Sequence, residues 1–409
     1  MSLLPDNLAI LRRRGFRLLF LGHGVSVFGD RMVVVALAFA VLEVGGSASA
    51  VGLVLACSAL PLVASVLIGG VVADRTSRRG VMIVADLVRV ASQGATAALL
   101  IAGTAEIWSL AVFAGITGAA TGFFNPASTA LLPEVVPPEE LQPANALRAT
   151  AFSAGEIGGP LAAGVVVATA GAGWAMAADA ATFAVSALCL WRLRVPPRAA
   201  RATASFLGDL REGWDEFRLR RWVWTFVLYA AFVNMLWGAW SALGPVVADR
   251  DLGGAAAWGA VLGSVGIGAL AGGLLATGAR PQRPLLWLVL TEALFAIPMA
   301  FLAAGVPTAL LACAAFLSGA GMMLGNSVWE STLQRHVPAE SLSRVASYDW
   351  FGSLAFYPLG LAIWGPLAGA IGVSSALWLA FGLFIALICV QLAVPDTRRL
   401  RAEPTQATG

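Results

Sequence analysis

The residues best placed to do chemistry in this sequence are charged side chains inside long apolar runs. Asp30 and Arg31 interrupt the run 18–42, which also holds His23, and Glu156 interrupts the run 145–170. At the helical rise, Asp30 lies roughly 18 Å into its segment and Glu156 roughly 16 Å, both near the middle of a bilayer. An ionisable group at that depth is costly and marks function by default. Apolar surroundings favour the neutral acid and a nearby arginine favours the carboxylate, so such a group can exchange a proton as a cavity wets and dries. On a helix Asp30 shares a face with His23 and Ser26, while Arg31 points about 100° away. Asp30, Glu156, Arg31 and His23 therefore read as proton-coupling candidates. The plainer readings are an Asp30–Arg31 structural network, a helix–helix hydrogen bond at Glu156 and a satisfied polar residue at His23. Asp86 and Arg89, three apart, read as a local pair. Asp179, Glu292, Glu330 and Asp349 read as groups nearer helix ends, with water or a partner close.

Those groups need elements to hold them, and composition says which. Of 409 residues, 59% are apolar or aromatic and 12% are charged. A soluble globular chain carries roughly 25% charged residues. A cytosolic enzyme, a disordered tail and a disulfide scaffold are all excluded. Breaking the apolar runs at charges, prolines and glycines predicts twelve spans. They are 18–42, 49–73, 80–102, 107–132, 145–170, 173–192, 223–248, 255–278, 284–304, 307–331, 343–368 and 372–394. Each approaches the roughly 20 residues that a membrane helix needs. The class is an all-α polytopic membrane protein with no room for a soluble catalytic domain. No GxSxG, HExxH or Cys/His cluster is present, and the only histidines are His23 and His336. Cys57, Cys189, Cys313 and Cys389 fall inside apolar runs and read as packing residues. Arg12, Arg13, Arg14 and Arg17 precede a span too long for a signal peptide, so no cleavable leader is expected.

Orientation follows from arginine, since all 26 basic residues are Arg. With both termini inside, the inner loops take nearly all of them, and the outer loops hold only Arg250. The middle loop, 193–222, opens with Pro196-Pro197 and spaces Phe206, Leu210, Trp214 and Phe217 as an amphipathic helix on the inner surface, tethering two halves. The halves are related. At a constant offset of 201, Asn125, Leu132, Val136, Pro137, Glu139 and Leu141 recur as Asn326, Leu333, Val337, Pro338, Glu340 and Leu342. Gly159-Pro160-Leu161-Ala162 returns as Gly365-Pro366-Leu367-Ala368. Two parallel repeats suit alternating access around a midplane site. The domains read as a bundle at 1–192, a linker at 193–222 and a second bundle at 223–409.

Between spans two and three the chain reads Gly70-Val71-Val72-Ala73-Asp74-Arg75-Thr76-Ser77-Arg78-Arg79. This resembles the G-x-L-A-D-R-x-G-R-R loop of the major facilitator superfamily, with Val72 and Ser77 as departures. Span five reads Gly155-Glu156-Ile157-Gly158-Gly159-Pro160-Leu161-Ala162-Ala163-Gly164, which resembles the G-x-x-x-G-P-x-x-G-G motif of that superfamily's drug:proton antiporters. The resemblance implies the major facilitator fold, two six-helix bundles related by a pseudo-two-fold axis. It also implies an inner gate latch in which Asp74 faces the start of span eleven and Arg78 reaches Glu134, with Gly70, Arg75 and Arg79 in the same motif. In span five it implies a hinge or seal built on Gly155, Gly159, Pro160 and Gly164. The fourth-helix pattern R-x-x-Q-G is met here by Ala114-Gly115-Ile116-Thr117-Gly118, without its arginine.

Asn125, Asn234, Trp237, Trp240, Trp350, Phe356 and Tyr357 are the substrate-cavity candidates, and an aromatic cavity favours a lipophilic or amphipathic ligand. Trp108, Trp174, Trp258 and Trp378 read as interface anchors. The function expected is export of a hydrophobic or amphipathic small molecule, such as a drug, antibiotic or siderophore-like compound, in exchange for protons. The alternatives are a proton-independent facilitator or importer, and a membrane sensor or lipid-handling protein on the same fold. The proton gradient is the expected energy source, with no cofactor or metal. The expected partners are the bilayer and the substrate, with no nucleic acid, and the expected form is a monomer in a bacterial inner membrane.

Overall fold

The computed structural model describes residues 10–195 and 214–402. It contains twelve helices long and apolar enough to cross a membrane. The first six are α1 Arg14–Glu43, α2 Ala48–Arg75, α3 Arg78–Ile101, α4 Ile107–Val135, α5 Leu141–Ala170 and α6 Ala172–Arg192. The others are α7 Arg221–Leu252, α8 Ala255–Ala276, α9 Pro284–Ala304, α10 Thr308–His336, α11 in two segments, Ala339–Leu354 and Tyr357–Ile371, and α12 Val373–Ala393. All twelve coincide with predicted spans. The main differences are extensions of α1 to Arg14 and α10 to His336, where arginine-bearing turns continue the helix past the apolar stretch. Of the amphipathic linker helix, Trp214–Leu219 is helical, and Trp214 and Phe217 stack on each other and lie tilted against Tyr348. Phe206 and Leu210 lie outside the described residues.

Proline sets where two helices break. α9 tightens into a 3₁₀ turn at Ala293–Phe295, and α11 is interrupted between Leu354 and Tyr357. Pro298 follows Leu294 by four residues, and Pro358 follows Leu354 by four. A proline has no N–H for the carbonyl one turn back and its ring crowds that carbonyl, so the helix opens there.

Contacts divide the chain into two compact units. One is the chain up to Ala200 with Pro245–Gly263, and the other is Arg201–Gly244 with the chain from Ser264 onward. Within the first, α2 packs on α4 so closely that a Cβ on Gly118 would overlap the Ser58 carbonyl. Within the second, a Cβ on Gly319 of α10 would overlap the Val265 carbonyl of α8. Gly118 and Gly319 stand at the repeat offset, and their helices are both 29 residues long. The repeat read in the sequence is thus a repeat of helix packing, with small residues letting backbones meet.

Without water outside, the usual amphipathic logic is inverted. In α3 the buried residues include Asp86, Arg89, Ser92, Gln93 and Thr96, while Val84 and Leu87 are exposed. Exposed apolar side chains meet lipid, and polar ones turn inward where partners exist. The same inversion corrects two expectations. Cys313 and Cys389 are exposed rather than packed inside, because apolar spans present such residues to lipid as readily as to the core. Trp108, Trp174 and Trp378 are exposed, as interface anchors must be, but Trp258 is buried within the first unit.

Candidate functional site

Asp30 stands just past the middle of α1, and consecutive residues of a helix face different neighbours. Here that divergence separates Asp30 from Arg31. Asp30 Oδ2 lies 3.6 Å from Arg89 Nη1 of α3, whereas Arg31 Nε lies 3.0 Å from Glu156 Oε1 of α5. The structure gives each a partner on another helix, while Arg31 stays close enough to act electrostatically on Asp30. Arg89 is also bonded to Asp86, so the expected local pair exists, and its reach to Asp30 makes it an interhelical one. The Arg89 guanidinium is held over the Phe124 ring at 4.2 Å and the Phe183 ring at 4.0 Å, from α4 and α6. Cation–π contact and two carboxylates together hold this buried charge.

Asp179 of α6 joins the same region. It is buried, not near water at a helix end, and Gln93 Nε2 donates to its Oδ2 at 2.8 Å. Its Oδ1 lies where a Cβ on Gly29 would stand, beside Asp30. Asp86, Arg89 and Gln93 are spaced three and four apart, one face of one helix. That spacing was the available signal for Arg89 as the hub and for Asp179 as a member. Asp30 is about one-third exposed while Asp86 and Arg89 are sealed, so the cluster runs from an accessible carboxylate to inaccessible ones. His23 stacks on Phe124, and its Nε2 lies 3.5 Å from Arg148 Nη2, which also donates to Ser128 of α4 at 3.2 Å. α4 has no arginine at Ala114, yet two guanidiniums, Arg89 and Arg148, reach it from α3 and α5.

The glycine motif of α5 has two packing faces. Cβ atoms on Gly155 and Gly159 would press on Val27, Phe28 and Arg31 of α1. A Cβ on Gly164 would stand 2.7 Å from the Ala255 carbonyl, and one on Gly259 would overlap the Pro160 carbonyl. The motif therefore seats the helix bearing Asp30 on one side and takes in the start of α8, part of the same unit, on the other.

In the loop motif, Arg78 Nη1 donates to Glu134 Oε1 at 2.9 Å and to the Ala130 carbonyl at 2.6 Å. Arg79 instead caps the end of α6, donating to the Leu190 and Trp191 carbonyls at 2.7 and 2.6 Å. Arg75 is exposed, Gly70 has open space around it, and the Asp74 side chain lies outside the described residues. Glu134→Gln is expected to lower thermal stability by only about 1 kcal/mol, because Arg78 keeps its carbonyl bond. A melting curve in detergent reads this, and a loss several times larger would mean that Glu134 has a further role.

A profile described as Major Facilitator Superfamily matches residues 19–353. The chain belongs to the Major Facilitator Superfamily. Among similar proteins, the multidrug efflux pump Tap of Mycolicibacterium fortuitum is 29% identical over 414 residues, covering 95% of this chain and 98% of the relative. The enterobactin exporter EntS of Escherichia coli O157:H7 is 28% identical over 417 residues, covering 98% and 97%. Among solved structures, the nucleoside transporter NupG aligns with a TM-score of 0.72 at 13% identity, covering 92% of this chain and 98% of its own. A bacterial homolog of the human lysosomal transporter Spinster, in its inward-facing and unoccupied conformation, aligns at 0.72 and 15%, covering 94% and 96%. This Major Facilitator chain is a multi-pass membrane transporter and not an enzyme.

Within the second unit, the substrate-cavity candidates Asn234, Trp237, Phe356 and Tyr357 each meet a neighbouring group. Asn234 Nδ2 donates to the Ala230 and Ser353 carbonyls at 3.0 and 3.1 Å, tying α7 to α11. Trp237 stacks on Phe295 at 3.7 Å, and Trp240 is buried behind it. Phe356 packs edge-on against Phe232, and Tyr357 lies 3.2 Å from Ser241 Oγ. Asn125 and Trp350 are exposed. Aromatic and amide groups inside a helix bundle serve packing as well as ligands.

Proposed function

We propose that the protein exports a hydrophobic or amphipathic small molecule across the bacterial inner membrane in exchange for protons, with both termini cytoplasmic. The observation that carries the coupling is the cluster in which Asp30 and Asp86 share the Arg89 guanidinium, with Asp179 beside Asp30. Three carboxylates and one cation in apolar surroundings leave acid in excess, and a proton on one of them relieves it. Asp30 is the accessible member and the port for that proton, while Arg31–Glu156 holds the other face of the same helix. The multidrug efflux pump and the enterobactin exporter among its relatives support export and the class of passenger. Protonation biases the two bundles between states open to either side.

Asp30→Asn is expected to lower gradient-driven substrate movement in proteoliposomes about tenfold or more. Equilibrium binding of the same substrate should change little. Unchanged pumping would remove Asp30 from the mechanism. Substrate flux in the unaltered protein without any pH change in the lumen would favour the facilitator reading, which the missing fourth-helix arginine otherwise suggests.

A further inference from the structure

Where α8 ends and α9 begins, the second unit has an open cavity of about 500 Å³. Its walls include Arg280, Gln282, Ser331, Arg335, His336 and Ala402, and no acidic residue lines it. Among the described residues, neither Arg280 nor Arg335 has a carboxylate partner. The wall is a built one. His336 sits with its ring nitrogens 3.0 Å from the Thr332 carbonyl and 3.3 Å from the Arg401 carbonyl, and Ala402 N donates to the Gln282 carbonyl at 3.1 Å.

Two guanidiniums around one space, neither with a carboxylate partner among the described residues, attract an anion, and their planar donor sets suit phosphate oxygens. The volume falls in the range of sites for drug-sized ligands, far more than a lone ion fills. In the last turns of α8, Leu274 and Leu275 are 67% and 65% exposed, next in sequence to Ala276, which lines the basic space. The loop bearing Arg280 and the end of α10 bearing Arg335 are also those that the arginine distribution assigns to the cytoplasmic face, where anionic lipid attracts basic groups. We propose that this cavity binds the phosphate headgroup of an anionic phospholipid, whose acyl chains lie along Leu274 and Leu275. Inorganic phosphate shares the charge but leaves the apolar surface unused.

The test uses native mass spectrometry of the purified full chain with phosphatidylglycerol, phosphatidylcholine or inorganic phosphate. Phosphatidylglycerol should be retained in preference to phosphatidylcholine, and each arginine should contribute about fivefold, or about 25-fold for both. Arg280→Gln with Arg335→Gln should abolish the preference. An undiminished preference in that variant, or full displacement of the lipid by millimolar phosphate, overturns the proposal. Should the double variant fail to fold, the unaltered protein decides. Phosphatidylglycerol should raise its melting temperature above that seen with phosphatidylcholine or phosphate, and equal values overturn the proposal.

Discussion

Arg89→Gln is expected to destabilise the protein by about 3–5 kcal/mol, the cost of leaving buried carboxylates without their cation. Arg89 is sealed, bonded to Asp86, within reach of Asp30 and flanked by two aromatic faces, so the neutral amide replaces neither its charge nor its stacking. The loss should appear as a lowered melting temperature in detergent, followed by tryptophan fluorescence. Adding Asp86→Asn should recover part of it, because the second change removes the charge that the first left stranded. Equal melting temperatures for Arg89→Gln and the unaltered protein, or losses that simply add in the double variant, would show that the cluster is not held by charge pairing.

Gly118→Val and Gly319→Val should each reduce the yield of folded, monodisperse protein sharply. At both positions the added Cβ meets a backbone carbonyl on the neighbouring helix, of Ser58 and of Val265. A backbone atom inside a helix cannot swing aside as a flexible side chain does, so the helices must part. Overpacking of this kind costs typically about 1–3 kcal/mol and occasionally more, and parting two long helices belongs at the upper end. Gly94→Val and Gly382→Val are the controls, since nothing stands within 4 Å of a Cβ at either place. Size-exclusion profiles that fail to separate the two pairs would remove close backbone approach as the organising contact of the repeat.

The span pattern could be read from the chain because the bilayer imposes a length, and runs such as 107–132 and 284–304 meet it without reference to any other residue. The repeat was legible for a related reason: Gly118 and Gly319 must both be small wherever the two halves pack alike. Which charges meet was less legible. Asp30 and Arg31 are neighbours in sequence, but one helical step sends them to α3 and α5, and only knowledge of which helices adjoin reveals Arg89 and Glu156 as partners. Asp179 is hard to single out because its partner Gln93 is uncharged and lies on another helix. The aromatic residues of α7 were least legible. Trp237 and Trp240 look alike in sequence, and stacking on Phe295 is a property of the neighbouring helix.

The clamping of Arg89 between Phe124 and Phe183 has an electrical consequence. A guanidinium pinned by two rings cannot travel across the membrane field, so it acts as a stationary countercharge. On the proposed exchange, a turnover with an uncharged passenger moves net charge only by way of the proton. Membrane voltage then drives that turnover by about 2.3 kcal/mol per 100 mV for each proton, in addition to the pH difference. In a one-for-one exchange, a passenger with one positive charge would cancel the term, and the pump would become insensitive to voltage.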